Sequence, residues 1–250
     1  MSAANASTDR FNAEAVAWDS NPVTVRSSEL AYNALLHWVP ELQDSKPDIL
    51  EIGCGTGLLS FHLSPHAHTL LGVDLAAGMV AAFRSKLASR PSTTNLAALT
   101  THLSDPDQPE VQAAARQLLG AAATAEPVRW HLVVSHLTLH HIPDMAAALR
   151  TCFAALRPGG RVALTDFEAL GPRSVHFHPP AKRADVERHG IDRVEIRRLI
   201  AEAGFEDARV ETAFALTKEV DPAEEGTDGA AEMEFPFLMC LGRKPGGGGA

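Results

Sequence analysis

The chain has 250 residues, with 31 acidic against 22 basic side chains and a formal net charge of −9. That length suits one α/β domain with a covering segment, and the acid excess disfavours nucleic acid, which needs a local basic face. Cys54, Cys152 and Cys240 are too few and too scattered for a disulfide framework or a metal cluster, so a reducing, cytoplasmic setting is expected.

In chain order, residues 1–10 offer nothing to bury and are expected to be disordered. Residues 11–45 are expected to form an N-terminal helical cap. Asp48 to Ile52 reads as a first buried strand. Thr69 to Asp74 reads as a second, followed by a helix from Ala76 to Ser89. Leu96 to Leu103 is the third strand, and Gln112 to Ala122 a helix. Trp130 to Ser135 is the fourth strand, and a helix begins near Pro143, a residue suited to a first turn. Leu156-Arg157-Pro158-Gly159-Gly160 breaks that helix and turns into a fifth strand, Arg161 to Asp166.

Glu168 to Gly190 has three prolines, three histidines and no periodicity. A long irregular segment at a strand's carboxyl end is where open α/β sheets place their ligands, so residues 168–190 are read as a lid. Asp192 to Ala203 is a further helix closed by Gly204. Ala208 to Leu216 and Phe235 to Gly242 are the last strands, with the acidic run 221–226 as an exposed loop between them. The Gly-rich tail 244–250 is expected to be disordered. No stretch approaches a membrane span.

The chemistry-bearing motif follows the first strand: Glu51-Ile52-Gly53-Cys54-Gly55-Thr56-Gly57. Alternate glycines let backbone approach a ligand closely. The next strand ends in Asp74, where a carboxylate can take both hydroxyls of a ribose. Together they point to a nucleoside cofactor. The third glycine comes one residue too early for a dinucleotide fingerprint, and no Gly-Lys-Ser/Thr is present for a phosphate loop.

These residues resemble the class I S-adenosylmethionine-dependent methyltransferases over about residues 46–243. Carrying the likeness are Glu51, Gly53, Gly55, Gly57, Asp74, the segment Leu139-His140-His141-Ile142 and the Leu156-to-Gly160 turn. Phe11 to Leu36 also resembles a small-molecule subgroup related to quinone-biosynthesis methyltransferases. The implied fold is α/β and Rossmann-like: a seven-stranded, mostly parallel sheet with one antiparallel strand and helices on both faces. The implied cofactor is S-adenosyl-L-methionine, leaving as S-adenosyl-L-homocysteine. Glu51 would hold the methionyl part, with Cys54 in the loop and Asp74 on the ribose. Leu75 and Met79 would flank the adenine, and Asp105 would accept from its amino group. Ser135 and His136 would lie near the methionine end, and Trp18 would close over the site.

Each assignment has a plainer alternative. For Glu51 it is a buried acid satisfied by the protein, for Met79 helix packing, for Asp105 a turn and for Trp18 a core anchor. His140 and His178 are the candidates for a catalytic proton acceptor. No metal is expected, because no acid stands at ligand spacing from the histidines. The acceptor is expected to be a small molecule with an oxygen, nitrogen or carbon nucleophile. The protein is expected to be a monomer or homodimer without nucleic-acid or membrane partners. A nicotinamide oxidoreductase and a catalytically silent binding protein are the alternatives.

Overall fold

A computed structural model describes residues 3–120 and 126–247. Its frame is a sheet of β1 (Ile49–Ile52), β2 (Leu70–Asp74), β3 (Leu96–Thr100), β4 (Trp130–His136), β5 (Leu156–Phe167), β6 (Glu206–Glu219) and β7 (Glu232–Arg243). The strand order is β3-β2-β1-β4-β5-β7-β6. Strands β1 to β5 are parallel, and β7 runs against both β5 and β6. The expected sheet, with its one antiparallel strand, is therefore observed.

Period-two alternation decides which helices cover which face. Leu50, Leu71, Val133, Val162 and Leu164 face α6 (Pro109–Leu119), α7 (Met145–Ala155) and α8 (Arg193–Glu202). Their neighbours Ile49, Leu70, Leu132, Val134 and Ala163 face α2 (Pro22–Trp38), α3 (Glu41–Asp44), α4 (Leu58–Leu63) and α5 (Ala77–Ala88). Caps set the helix starts: the Asn21 side chain accepts from Val23 and Thr24, Asp144 from Ala147 and Asp192 from Glu195. Pro143 thus precedes a cap instead of opening a helix. Gly204, at φ 100°, closes α8 as expected.

Several expectations need correction. The N-terminal segment is helical from its third residue, as α1 (Ala3–Glu14). Tertiary contacts explain it: Arg10 pairs with Asp185 at 2.9 Å, and the Asn12 side chain accepts from the Gly78 N–H at 2.7 Å. The Gly-rich tail begins with an anchored residue, since the Lys244 ammonium donates to the carbonyls of Phe153 and Leu156. The turn at 156–160 belongs to β5, which bulges so that Trp130 pairs with Leu156 but Leu132 with Arg161. Segment 168–190 contains two 3-10 helices, Gly171–Phe177 and Pro180–Asp185. The expectations for residues 1–2, 121–122 and 248–250 lie outside the described residues.

Asp48, just before β1, ties together the amino ends of the central strands. Thr69 donates to its carboxylate at 2.6 Å, with His68 at 2.8 Å and His131 at 3.2 Å. Burial alone would raise its pKa, but the bonds from His131, Thr69 and His68 outweigh burial and hold it below the usual carboxylate range. Its stabilising contribution is therefore complete above the unfolded pKa of about 3.9 and is lost as the pH falls below it. Asp48→Asn should cost about 1–3 kcal/mol in urea unfolding at neutral pH. The gap to the parent should narrow as the pH is lowered below 4 or so.

Candidate active site

β1 ends at Ile52 and β4 at His136, side by side at the carboxyl edge of the sheet. The glycine loop leaves β1 here, at the topological switch point. Its three glycines serve different ends. A Cβ on Gly53 would stand 2.1 Å from the Thr138 hydroxyl, and one on Gly57 would stand 2.4 Å from the Phe83 ring. Protein packing thus demands those two. Gly55, at φ 53°, has nothing within 4 Å of its Cβ position, and it is the glycine that leaves room for a ligand. The Cys54 side chain is buried beneath Gly72, so only its backbone borders the loop.

Asp74, at the end of β2, accepts from the Gly55 and Ala76 N–H groups at 2.8 Å each. Burial raises its pKa, against those backbone donors. Each carboxylate oxygen keeps a further lone pair for a diol. Leu75 beside it is 51% exposed, unusual for a large apolar side chain in this fold. Glu51 is buried and accepts from the Ser60 hydroxyl. Burial pushes its pKa up to about 8, with the Asp74 charge adding to the rise.

The remaining sequence candidates divide. Met79 is 2% exposed and packs with Ala15, Ala76, Phe11 and Trp18, as helix packing would have it. Trp18 stands edge-on to Phe11 at 5.6 Å and also lines the cavity described below. The exposed Asp105 accepts from the Asp107 N–H at 2.8 Å in a plain turn. The Ser135 hydroxyl donates to the Ile52 carbonyl at 2.8 Å and so supports the loop from below. His136 spends both ring nitrogens inside the protein, on Ser27 at 2.9 Å and Thr165 at 2.8 Å, which leaves none to meet a cofactor. Burial holds its pKa down at about 4.

After β4 the chain passes through Leu137 at φ 53°, a strained setting for a bulky residue, into a 3-10 turn, Leu139–His141. This turn brings His140 over Asp166 near the end of β5. Asp166 is fully buried. Its carboxylate accepts from the His140 backbone N–H at 3.1 Å, from the His140 Nδ1–H at 2.9 and 3.0 Å and from the Phe167 N–H at 2.9 Å. The carboxylate makes Nδ1 the donor and leaves Nε2 on the opposite side of the ring. His141 and His178 lie alongside, and one ligating atom from each of the three rings falls within 4.8 Å of the others. Burial holds His141 and His178 down to about 2, so both are neutral.

These rings open into a cavity of about 1040 Å³. Its walls come from three distant stretches: Arg10 to Ser27, His176 to Arg183 and Leu216 to Glu224. Glu224 joins two of them, pairing with Arg183 at 2.6 Å and His176 at 3.1 Å. The acidic run 221–226 is therefore not simply a solvated loop. Lys218 lies over the Phe177 ring at 3.9 Å and donates to its carbonyl, and burial brings its pKa down to about 8. Sequence reasoning missed Asp166, Lys218 and Glu224. Asp166 carried a signal, as the one acid in the apolar run Val162 to Phe167.

A family model described as a methyltransferase domain matches residues 27–210. The chain is 25% identical over 198 residues to an uncharacterized methyltransferase of Schizosaccharomyces pombe, covering 77% of this chain and 64% of that protein. It is 28% identical over 118 residues to a ubiquinone biosynthesis O-methyltransferase of Leptothrix cholodnii, covering 47% and 43%. The chain thus spans less than two thirds of either relative. Among solved structures, a DhpI complex with SAH superposes with a TM-score of 0.61 at 19% identity, over 98% of this chain and 97% of that one. That likeness concerns the fold. Glycine loop, second-strand acid and matched family model agree, and the chain belongs to the methyltransferase-domain family.

Proposed function

We propose that the chain transfers a methyl group from S-adenosyl-L-methionine to a hydroxyl of a small molecule held in the cavity. The carrying observation is the Asp166–His140 pair on a cavity that Leu137 also lines, one residue before Thr138, which packs on Gly53 of the glycine loop. The relative named for ubiquinone O-methylation supports an oxygen acceptor. S-adenosyl-L-methionine supplies a methyl group already activated on a sulfonium, so positioning and exclusion of water are the protein's main tasks. Gly55 gives the cofactor room, Asp74 takes the ribose and exposed Leu75 flanks the adenine. Glu51 and the Ser135-braced loop border the methionyl end, and Trp18 closes the entrance. Met79 and Asp105 act indirectly, through the shape of the adenine pocket. His136 braces α2 against β4 and β5.

The acceptor proton goes to the histidine cluster, where His140 is the nitrogen the hydroxyl meets. The acceptor's oxygen lone pair takes the methyl carbon, and the electrons of the broken S–C bond stay on sulfur. Residues 11–45 and the lid 168–190 form the cover that keeps water out and reads the acceptor. The three cysteines are buried and unpaired, in keeping with a cytoplasmic protein. The charge of −9 favours a small-molecule acceptor over nucleic acid, in a monomer or homodimer. No helix among the described residues is long and apolar enough to cross a membrane.

Isothermal titration tests the cofactor. S-adenosylmethionine and S-adenosylhomocysteine should bind and NAD should not, and NAD binding alone would overturn the reading. Asp74→Ala should weaken binding by roughly 1.5–3 kcal/mol. Gly55→Ala should lower affinity with a modest loss of stability, whereas Gly57→Ala should mainly lower the melting temperature.

Methyl-labelled cofactor incubated with a metabolite pool tests the reaction, with labelled products identified by mass spectrometry. His140→Ala should slow product formation by roughly 10²–10⁴-fold while cofactor affinity holds. His178→Ala and Phe177→Ala should impair turnover or apparent acceptor affinity. Parental behaviour in all three variants would remove both the histidine cluster and the lid from the mechanism.

A further inference from the structure

Three imidazoles converge at the cavity floor without an acid among them. Each of the two on the β4 turn is oriented by a neighbour. His140 gives its Nδ1–H to the buried Asp166 carboxylate at 2.9 Å. The His141 ring is packed edge-on against Phe11 at 5.1 Å. A neutral imidazole that donates from one nitrogen carries a lone pair on the other. A carboxylate or carbonyl behind a histidine is the outer shell that metal-binding histidines need, since it fixes the tautomer and ring direction.

The third ring comes from the lid. His178 is 8% exposed, and its Nδ1 is buried without a hydrogen-bond partner. An unmet polar atom at such depth has a cost, and a ligand at the cluster removes it. His189 Nδ1, on the same lid, is likewise buried without a partner, and its ring lies 6.4 Å from that of His178. Two of the three rings are adjacent on the β4 turn, and the third comes from a segment nearly forty residues further along, so no sequence spacing announces the set.

We infer that His140, His141 and His178 form a binding site for a divalent transition ion of the zinc type, with its open position facing the cavity. Three imidazole nitrogens suit zinc, cobalt(II) or nickel(II) and not magnesium or calcium, which take oxygen ligands. Ligand atoms within 4.8 Å of one another need small ring movements to close on an ion. The lid can make them, because His178 lies between its two 3-10 helices. This inference rests on reading the cavity as the acceptor site. It revises the proton's route: with an ion bound, His140 would act as a ligand and no longer as the proton acceptor, and the acceptor's hydroxyl would occupy the open position, where the ion would lower its pKa and its proton would leave to solvent. It also makes His178 a sensor of closure, since the site is complete only with the lid in place.

The test uses the full chain, stripped with a chelator and titrated with cobalt(II) alone. Four-coordinate cobalt gives strong visible bands and six-coordinate cobalt faint ones. A single equivalent should bind with strong bands. His141→Ala and His178→Ala should each weaken binding at least tenfold, and Asp166→Asn by about 10–100-fold. The exposed His102→Ala should change nothing. Titration of S-adenosylmethionine into each variant checks that it is folded. Absence of cobalt uptake by the parent, or uptake indifferent to both His141→Ala and His178→Ala, overturns the inference. Neither cofactor nor acceptor enters the cobalt measurement. Normal cobalt binding without methyl transfer would therefore count against the proposed reaction alone.

Discussion

A carboxylate with no exposure to water holds the site together. Asp166 lies near the end of a central strand, where an ion without partners would cost several kcal/mol. Its oxygens are met by three N–H groups, two of them from His140. The bond to the His140 backbone fixes the turn after β4, and the bond to the ring fixes the imidazole. One residue thus sets both where the chain goes and which nitrogen faces the cavity. Phe167, next in sequence, stacks on Phe177 at 3.9 Å and seats the first half of the lid. Strand end, histidine turn and lid are therefore linked through two adjacent positions of β5.

The cover is held differently from the floor. Lys182 reaches Glu14 at 2.6 Å, Arg10 reaches Asp185 at 2.9 Å and Arg183 reaches Glu224 at 2.6 Å. These pairs link α1, the lid and the β6–β7 loop, three stretches with no shared strand. Partly exposed ion pairs contribute about 0.2–1 kcal/mol each and weaken with salt. Beneath them the sheet is a continuous apolar core. The contrast fits the proposed division into a rigid floor and a cover that opens for exchange, since weakly held parts of a structure are the ones that move.

Much of this was legible in the sequence, for physical reasons. The parallel strands are buried on both faces, so they appear as short apolar runs, and their order with helices follows. Asp74 and the glycines stand at fixed distances from strand ends, and that is what makes them readable as candidates. The meaning of the glycines was only half legible: Gly53 and Gly57 make room for Thr138 and Phe83, partners distant in sequence. His136 appeared as a cofactor neighbour because it ends a strand, but its ring finds Ser27 and Thr165 first. The N-terminal helix was illegible because its order comes from Gly78 and Asp185, not from its own composition. Likewise the histidine trio exists only after the lid folds back. Acid-at-spacing reasoning cannot see it, because its acid, Asp166, sits behind a ring and comes from another strand.

The central claim is that Asp166 fixes His140 with its proton on Nδ1 and a lone pair on Nε2 facing the cavity. Long-range nitrogen–proton correlation spectra of the labelled imidazoles test it directly, with His140→Gln for assignment. The expected result is a His140 ring protonated at Nδ1 near neutral pH, whose signals shift to the other tautomer or to a mixture in Asp166→Asn. A parent His140 protonated at Nε2, or a tautomer indifferent to Asp166→Asn, would contradict it.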